Sequence, residues 1–577
     1  MNNELLTPKN YTSLRHLIIL PIISAILLGL TRTNLHFDMF VFVAFIPLFY
    51  YFEMIEKQNN NSSLLQLKTK HIMWHGALFS TIYTIIFLHW ITLVTIGGFL
   101  GILFLFGTLF GFLFLIVGNL HRTKTILYPL SFIFAWLTFE YISNFTEFRF
   151  PWFNIGYGLK HNLPLLQILE FGGMPVLSFF ILVINYLFYL SFTRKKNSQL
   201  TNNLITSTNI QKSEFVGTTQ TMFQEKKGVY SKISNLCMSL NIKIFLLTIL
   251  SLLIWFVGGL WRMKYVQKLS IEQDFQIALI QGNIPQDLKW EDEMVKETID
   301  IYESLARQSV ERDSVNLIVF PESALPVFVM LSNQDYSRMV RFVLDINTPL
   351  FTGFPHYVFE EKYKGQKEPT LDFNAANLFA PYPFSSENYY KNILVPFGER
   401  TPFLDKFPIL WNIQMGQANF EAGNKTVIYN ADEYYFAPLI CFEIAFPLFI
   451  RKITEEYTPD FWINITNDAW FYSSIGTHQH AVMAAFRTIE IRKPIFRAAN
   501  TGYSFYTTPD GKIHKKSKLF ERSFVIGKLL LYDTLTPYVA YGYMINYIFI
   551  LFFSLQIIAT IIYWLRKFFT FHASKFK

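Results

Sequence analysis

The chain has 577 residues, is 51% hydrophobic and 18% aromatic, and carries only 16% charged residues with a formal net charge of +8. Soluble domains carry about 25% charged residues, so this deficit excludes an ordinary soluble protein and points to a membrane. The positive balance reads as a topology signal, not as a nucleic-acid footprint.

In chain order, apolar stretches fall near residues 16–31, 39–52, 72–94, 96–119, 126–143, 172–193, 243–261 and 539–565. Several reach the roughly 18–20 residues needed to cross a hydrocarbon core of about 30 Å. The first two are shorter. Leu17–Leu30 also has the length of a signal-peptide core, but Thr31, Arg32 and Thr33 follow it without small cleavage-site residues. Lys and Arg cluster before the first stretch (Lys9, Arg15), after the second (Lys57, Lys68, Lys70) and after the fourth (Arg122, Lys124). They cluster again after the sixth (Arg194, Lys195, Lys196) and at the end (Arg566, Lys567, Lys575, Lys577). The positive-inside rule then predicts eight spans with both termini cytoplasmic and residues 262–538 on the outer face.

The expected organisation is a membrane domain of six spans (1–193), a polar cytoplasmic loop (194–242) and a seventh span (243–261). An outer domain (262–538) follows, then an eighth span with a cytoplasmic tail (539–577). Cys237 lies on the cytoplasmic side of the seventh span and Cys441 in the outer domain, so the only two cysteines cannot pair. The outer loop FPWFNIGYG carries Trp152, Phe153 and Tyr157. An interfacial aromatic belt is the favoured reading; lining a lipid site beneath the outer domain is the alternative.

The outer domain reads as mixed α/β. β-rich runs lie at 275–281, 315–320, 349–354, 436–441, 461–466 and 503–508, with helical periodicity around 291–311, 333–345, 446–456 and 478–492. That alternation suggests sheets covered by helices, with functional residues where strands end. Glu322 follows VNLIVF in FPESALP, Lys391 is embedded in YYKNILVPFGERTPF, and Cys441 ends FAPLIC. Taken alone, each has an ordinary reading: a helix cap, a surface lysine, a core thiol. Together they supply what acyl transfer through a thiol needs, namely a nucleophile, a proton acceptor and a positive charge in a dry site. Lys391 beside Cys441 is expected to favour the thiolate. Asp468, His478 and His480 suggest a metal site only weakly, because HQH at i, i+2 does not suit one helical face. No Walker A or GxGxxG string is present, and no cofactor or metal is expected.

Glu, Lys and Cys in this order, within FPES, VPFGE and CFE, resemble the nitrilase superfamily. QGNIPQDLKW, NDAWF, HQHAVMAAFRTIEIRKPIFRAANTG and FPWFNIGYG, with the membrane spans, narrow the resemblance to the apolipoprotein N-acyltransferase family. The resemblance implies a polytopic α-helical membrane domain of about eight spans plus an extracytoplasmic α/β nitrilase-like α-β-β-α sandwich. It implies Glu322 as general base, Lys391 as oxyanion stabiliser and Cys441 as nucleophile, with Glu399 and Glu443 as supporting acids. Trp290, Phe442, Trp470 and Phe471 would be substrate-binding, and Asn374 matches a family Asn. Phe442 replaces a common Tyr, which removes any role for that hydroxyl. Glu399 and Glu443 crowd one pocket with negative charge, so one of them is expected to hold its proton more tightly than usual.

The implied reaction moves an acyl chain from a phospholipid to the N-terminal amine of a diacylated lipoprotein through a Cys thioester. The implied place is the bacterial inner membrane, with the catalytic domain periplasmic. Two alternatives remain open at this point: a membrane-tethered amidase, and a transporter or receptor with a ligand-binding ectodomain. Few charges within the spans disfavour a solute pathway.

Overall fold

The structure, a computed structural model, describes residues 8–59, 68–193, 219–359, 370–381, 387–404, 406–407 and 420–575. Among these residues six segments are long and apolar enough to cross a membrane: Asp38–Lys57, Thr69–Leu88, Ile96–Thr123, Leu169–Thr193, Leu240–Leu269 and Pro537–Thr570. Two of the eight expected spans are shorter helices. Leu17–Thr31 is one. Ser131–Ile142 has only 12 residues, or about 18 Å at 1.5 Å per residue. The apolar run at 126–143 is divided there, because Tyr128–Leu130 forms a separate 3-10 turn with Pro129 in it.

The helix carrying Leu240–Leu269 begins at Thr219. The later part of the segment expected to be a polar loop is therefore helical, whereas residues 194–218 and the side chain of Cys237 lie outside the described residues.

Among the described residues the rest of the chain contains twelve strands: β1 (Ile271–Gln281), β2 (Leu317–Val319), β3 (Leu350–Phe359), β4 (Thr370–Phe379), β5 (Tyr389–Tyr390), β6 (Tyr429–Ala431), β7 (Tyr434–Ile440), β8 (Phe461–Thr466), β9 (Ile495–Ala499), β10 (Phe505–Thr507), β11 (Ile513–His514) and β12 (Ser523–Leu531). They make two six-stranded sheets, ordered β12-β1-β2-β3-β4-β5 and β11-β10-β9-β8-β7-β6. Each sheet has a parallel centre, β1-β2-β3 and β7-β8-β9, flanked by antiparallel strands.

Period-two alternation decides the layering. Ile277 and Leu279 of β1 face Phe436, Ile440, Ile463 and Ile465 of the other sheet. The intervening Ala278 and Ile280 pack under the helices Asp292–Arg312 and Asn333–Ile346 through Ile299, Tyr302 and Phe342. On the second sheet the outward Leu439 and Trp462 meet Met483 and Phe486 of the helix Ile475–Ile491. An α-β-β-α sandwich results. Its second helix layer shares one continuous core with the membrane helices, and Tyr157 packs edge-on against Phe486 at 4.9 Å. Buried Glu170 of the helix Leu169–Thr193 pins both Arg262 (2.6 Å) and Arg492 (2.8 Å), which fastens the sandwich to the membrane helices.

β4, β9 and β12 escape a reading based on apolar runs. Asp372, Asn374 and Asn377 interrupt β4, buried Arg497 interrupts β9, and Gly527 with Lys528 interrupts β12.

Candidate active site

Glu322 stands just past β2, Cys441 directly after β7, Asn467 directly after β8 and Lys391 directly after β5. Parallel strands deliver their carboxyl ends to one rim, and that rim is where a site forms in such sheets. The turn after β2 is tight: Ser323 has φ 49°. Gly353 of β3 leaves it room, since a Cβ there would come within 2.7 Å of the Ser323 nitrogen and 3.0 Å of the Glu322 Cα.

The Glu322 carboxylate is fully engaged. Its Oε1 accepts from Asn374 Nδ2 at 2.7 Å and Lys391 Nζ at 3.3 Å, and its Oε2 accepts from the Asn467 N–H at 2.8 Å. Lys391 Nζ donates also to Glu399 Oε1 at 2.7 Å, and Asn374 Nδ2 reaches the same oxygen at 3.2 Å. Val395 N–H holds Glu399 Oε2 at 2.9 Å. One ammonium is thus shared by two carboxylates, with Asn374 bridging them. Burial alone would push the Lys391 ammonium down, but Glu399 and Glu322 together outweigh it and hold it above its usual range.

Cys441 has φ 51°, a left-handed conformation that few side-chain-bearing residues adopt. The expected activation of its thiolate by Lys391 does not prevail in the resting site. Burial and then the Glu322 charge push the thiol up, and Lys391 only partly offsets them. A thiol so raised rests neutral, and to act as a nucleophile it would pass its proton to an adjacent carboxylate.

The two supporting acids occupy different places. Glu399 faces the cavity with Lys391. Glu443 is wholly buried and accepts from Ile440 N–H (2.7 Å), Asn392 N–H (2.7 Å), Ile393 N–H (3.2 Å) and Tyr389 Oη (2.8 and 2.9 Å). It braces the segment on both sides of Lys391 against the turn that carries Cys441. Its carboxyl is pushed up to about 7, and the cause is burial, not crowding by Glu399.

A cavity of about 730 Å³ joins these groups to the membrane helices. Its domain end holds Glu322, Lys391, Glu399 and Cys441, with Trp290, Phe442, Trp470 and Phe471 on the walls. Its other end is Val94, Gly98, Gly101, Ile102, Leu105 and Phe106, from and just before the helix Ile96–Thr123. Trp90 closes the seam by packing edge-on to Phe471 at 4.8 Å and donating to Gln479 at 3.2 Å.

The loop FPWFNIGYG corrects the belt reading. Trp152, Phe153 and Tyr157 are buried, and Trp152 lines the cavity while stacking on Phe442 at 5.5 Å and 15°. The ring at position 442 therefore packs without needing a hydroxyl. Lys289 and Asn467, which are not among the expected site residues, also line the cavity, as does His480, in the sequence only a weak metal candidate. Lys289 is buried with its Nζ on the Glu322 carbonyl at 3.3 Å, and burial pushes its ammonium down to about 8. The string QDLKW held that signal, but only the tertiary approach of residues 289 and 322 reveals it.

Comparison with known proteins agrees with this architecture. The family model of the apolipoprotein N-acyltransferase N-terminal domain matches residues 24–187, and that of carbon-nitrogen hydrolases matches residues 276–534. An apolipoprotein N-acyltransferase of Geobacter metallireducens is 29% identical over 413 residues, which cover 72% of this chain and 70% of that protein. One from Haemophilus influenzae is 32% identical over 325 residues, covering 55% and 60%. One from Chlorobaculum tepidum is 26% identical over 558 residues, covering 92% and 93%.

Proposed function

The chain belongs to the apolipoprotein N-acyltransferase family, and from that premise we propose that Cys441 carries an acyl chain from a membrane phospholipid to the N-terminal amine of a diacylglyceryl-cysteine lipoprotein. The cavity running from Cys441 to the helix Ile96–Thr123 is the observation that carries this reading. It offers a hydrocarbon chain an apolar lodging and its ester carbonyl a nucleophile.

In the first half-reaction Sγ of Cys441 attacks the ester carbonyl while Glu322 accepts the thiol proton. Lys391, whose ammonium is buried and held protonated, stabilises the oxyanion together with backbone N–H groups. The carbon–oxygen bond to the lysophospholipid breaks, and the leaving alkoxide takes the proton from Glu322. The lipoprotein amine, with an ordinary pKa of about 7.7–8.0, then attacks the thioester. Glu322 takes a proton from that amine, the carbon–sulfur bond breaks, and the thiolate is reprotonated. A thioester yields to an amine more readily than the starting ester, which drives the second half.

The charge pattern supports eight crossings with both termini cytoplasmic, the two short helices crossing with their flanking chain. The organisation 1–193, 194–242, 243–261, 262–538 and 539–577 accompanies that topology, with the sandwich on the periplasmic face of the bacterial inner membrane. Purified protein in phospholipid vesicles with a diacylated lipopeptide tests the function. Lysophospholipid and N-acylated lipopeptide forming in equal amounts support acyl transfer, and free fatty acid without N-acylation identifies a hydrolase instead.

A further inference from the structure

Asp468 and His480, weak metal candidates in the sequence, do meet in the structure, beneath Cys441. Among the described residues no group of three or more His, Cys, Asp or Glu is arranged to hold a metal ion, so the pair needs another explanation. His480 Nε2 donates to the main-chain oxygen of Cys441 at 3.1 Å. Its Nδ1 lies 2.9 Å from Asp468 Oδ1 and 3.1 Å from Arg497 Nη2. Asp468 is held in turn by Arg497 Nη2 at 2.8 Å and Thr466 Oγ1 at 3.1 Å, and Arg497 Nη1 is tied to Asn464 Oδ1. His480, Asp468 and Arg497 are all buried.

A buried ionic cluster is weak evidence for stability, because desolvation cancels much of its attraction. Its target is more telling. His480 Nε2 ends on the carbonyl of the residue that holds the left-handed turn, Cys441 at φ 51°. The imidazole is also clamped between rings of the cavity wall, Phe471 edge-on at 5.8 Å and Trp152 at 6.2 Å. Only a ring protonated at Nε2 can donate to that carbonyl. Burial and the Arg497 charge push His480 below the usual histidine range, while Asp468 and the Cys441 carbonyl oppose that shift.

We propose that His480, oriented by Asp468 and Arg497, is a positioning residue: it holds the Cys441 carbonyl and so keeps the thiol turned toward Glu322 and the cavity. This rests on Cys441 as the nucleophile. Strain at a non-glycine left-handed residue persists only where surrounding bonds over-determine it, and the His480 bond to the Cys441 carbonyl is one of those that hold this turn.

The test uses the full-length protein in phospholipid vesicles, in a Cys237→Ala background so that Cys441 is the only thiol. His480→Ala removes the donor, while His480→Gln returns an amide N–H. A nucleophile misplaced by about 1 Å loses about 10²-fold in rate, so His480→Ala should lower kcat by that order with KM unchanged, and His480→Gln should recover most of it. Iodoacetamide alkylation of Cys441 gives a readout that needs no acyl donor. Released from its seat beside Glu322, the thiol of His480→Ala should alkylate at a lower pH than in the parent, and His480→Gln should restore the parent profile. Unchanged kcat in His480→Ala, or losses in Ala and Gln that are equal and follow thermal stability, would overturn the positioning role. Absence of an acyl adduct in the parent overturns the acyl-carrier reading instead, and the alkylation profiles then decide the role of His480 by themselves.

Discussion

At the strand-tip end of the cavity, Lys391 has two carboxylates within 3.3 Å, and Asn374 and the Asn467 N–H complete the shell of Glu322. At the membrane end the wall is Gly98, Gly101, Ile102, Leu105 and Phe106, without a charge. The first end is over-determined, since the Glu322 and Glu399 carboxylates and the Lys391 ammonium have fixed partners before substrate arrives. The second has no directional contact to offer and can hold a chain only by excluding water from it, at about 25 cal/mol per Å² of apolar surface buried. On the proposed function, chemistry is fixed at one end and substrate length is read at the other, so substitutions at the two ends should fail in different ways.

The largest effect is expected at the over-determined end. Glu322→Gln removes the proton acceptor from a thiol that burial and neighbouring charge already keep neutral. Turnover should fall by at least about 10²–10⁴-fold, measured as lysophospholipid release, with the fold intact by circular dichroism. Lys391→Met should follow, with a loss of about 10²–10³-fold as the oxyanion donor goes. It should also lower thermal stability, because buried Glu322 and half-buried Glu399 are left without their shared cation.

Glu443 tests the brace behind that end through pH. Its folded-state pKa is about 7 against an ordinary 4.5. The native state therefore binds the extra proton between these values, and stability from this group is full below 4.5 and lost as pH rises through about 7. Glu490 is raised to about 7 as well, so the wild-type curve alone does not isolate either group. The difference curve does: Glu443→Gln should flatten part of the fall in melting temperature between pH 5 and pH 8, and an unchanged slope would count against the brace.

The smallest effect is expected at the featureless end. A Cβ at Gly101 would meet nothing within 4 Å, so Gly101→Leu fills cavity space without straining the helix. Long-chain phospholipids should lose about tenfold relative to short-chain donors, while turnover of a short-chain donor is retained. Equal losses for every chain length would show that this end does not measure the chain.

The same contrast explains what could be read in advance. Glu322 and Cys441 were legible because each ends a β-rich run, and Lys391 because an ammonium among aromatics is unusual. Four helices and six strands of the sandwich followed from periodicity alone. Glu443 as a brace was not legible, since the Asn392 and Ile393 N–H groups and the Tyr389 hydroxyl that it ties to the turn lie about fifty residues away. Nor was the neutral state of Cys441, because desolvation depends on how the sheets close over it. Trp152 was misread for the opposite reason: an aromatic in an outer loop suits the membrane interface by composition, and only packing against Phe442 shows that it faces inward. The apolar run at 126–143 concealed a 3-10 turn and a short helix in the same way.

On the proposed function, Sγ of Cys441 carries the acyl chain between the two ends. Intact-mass analysis of the protein after incubation with a phospholipid of defined chains measures this directly. It should gain the mass of one acyl group, located on Cys441, absent from Cys441→Ala and discharged when a diacylated lipopeptide is added. Protein that turns over while never carrying that mass would contradict it.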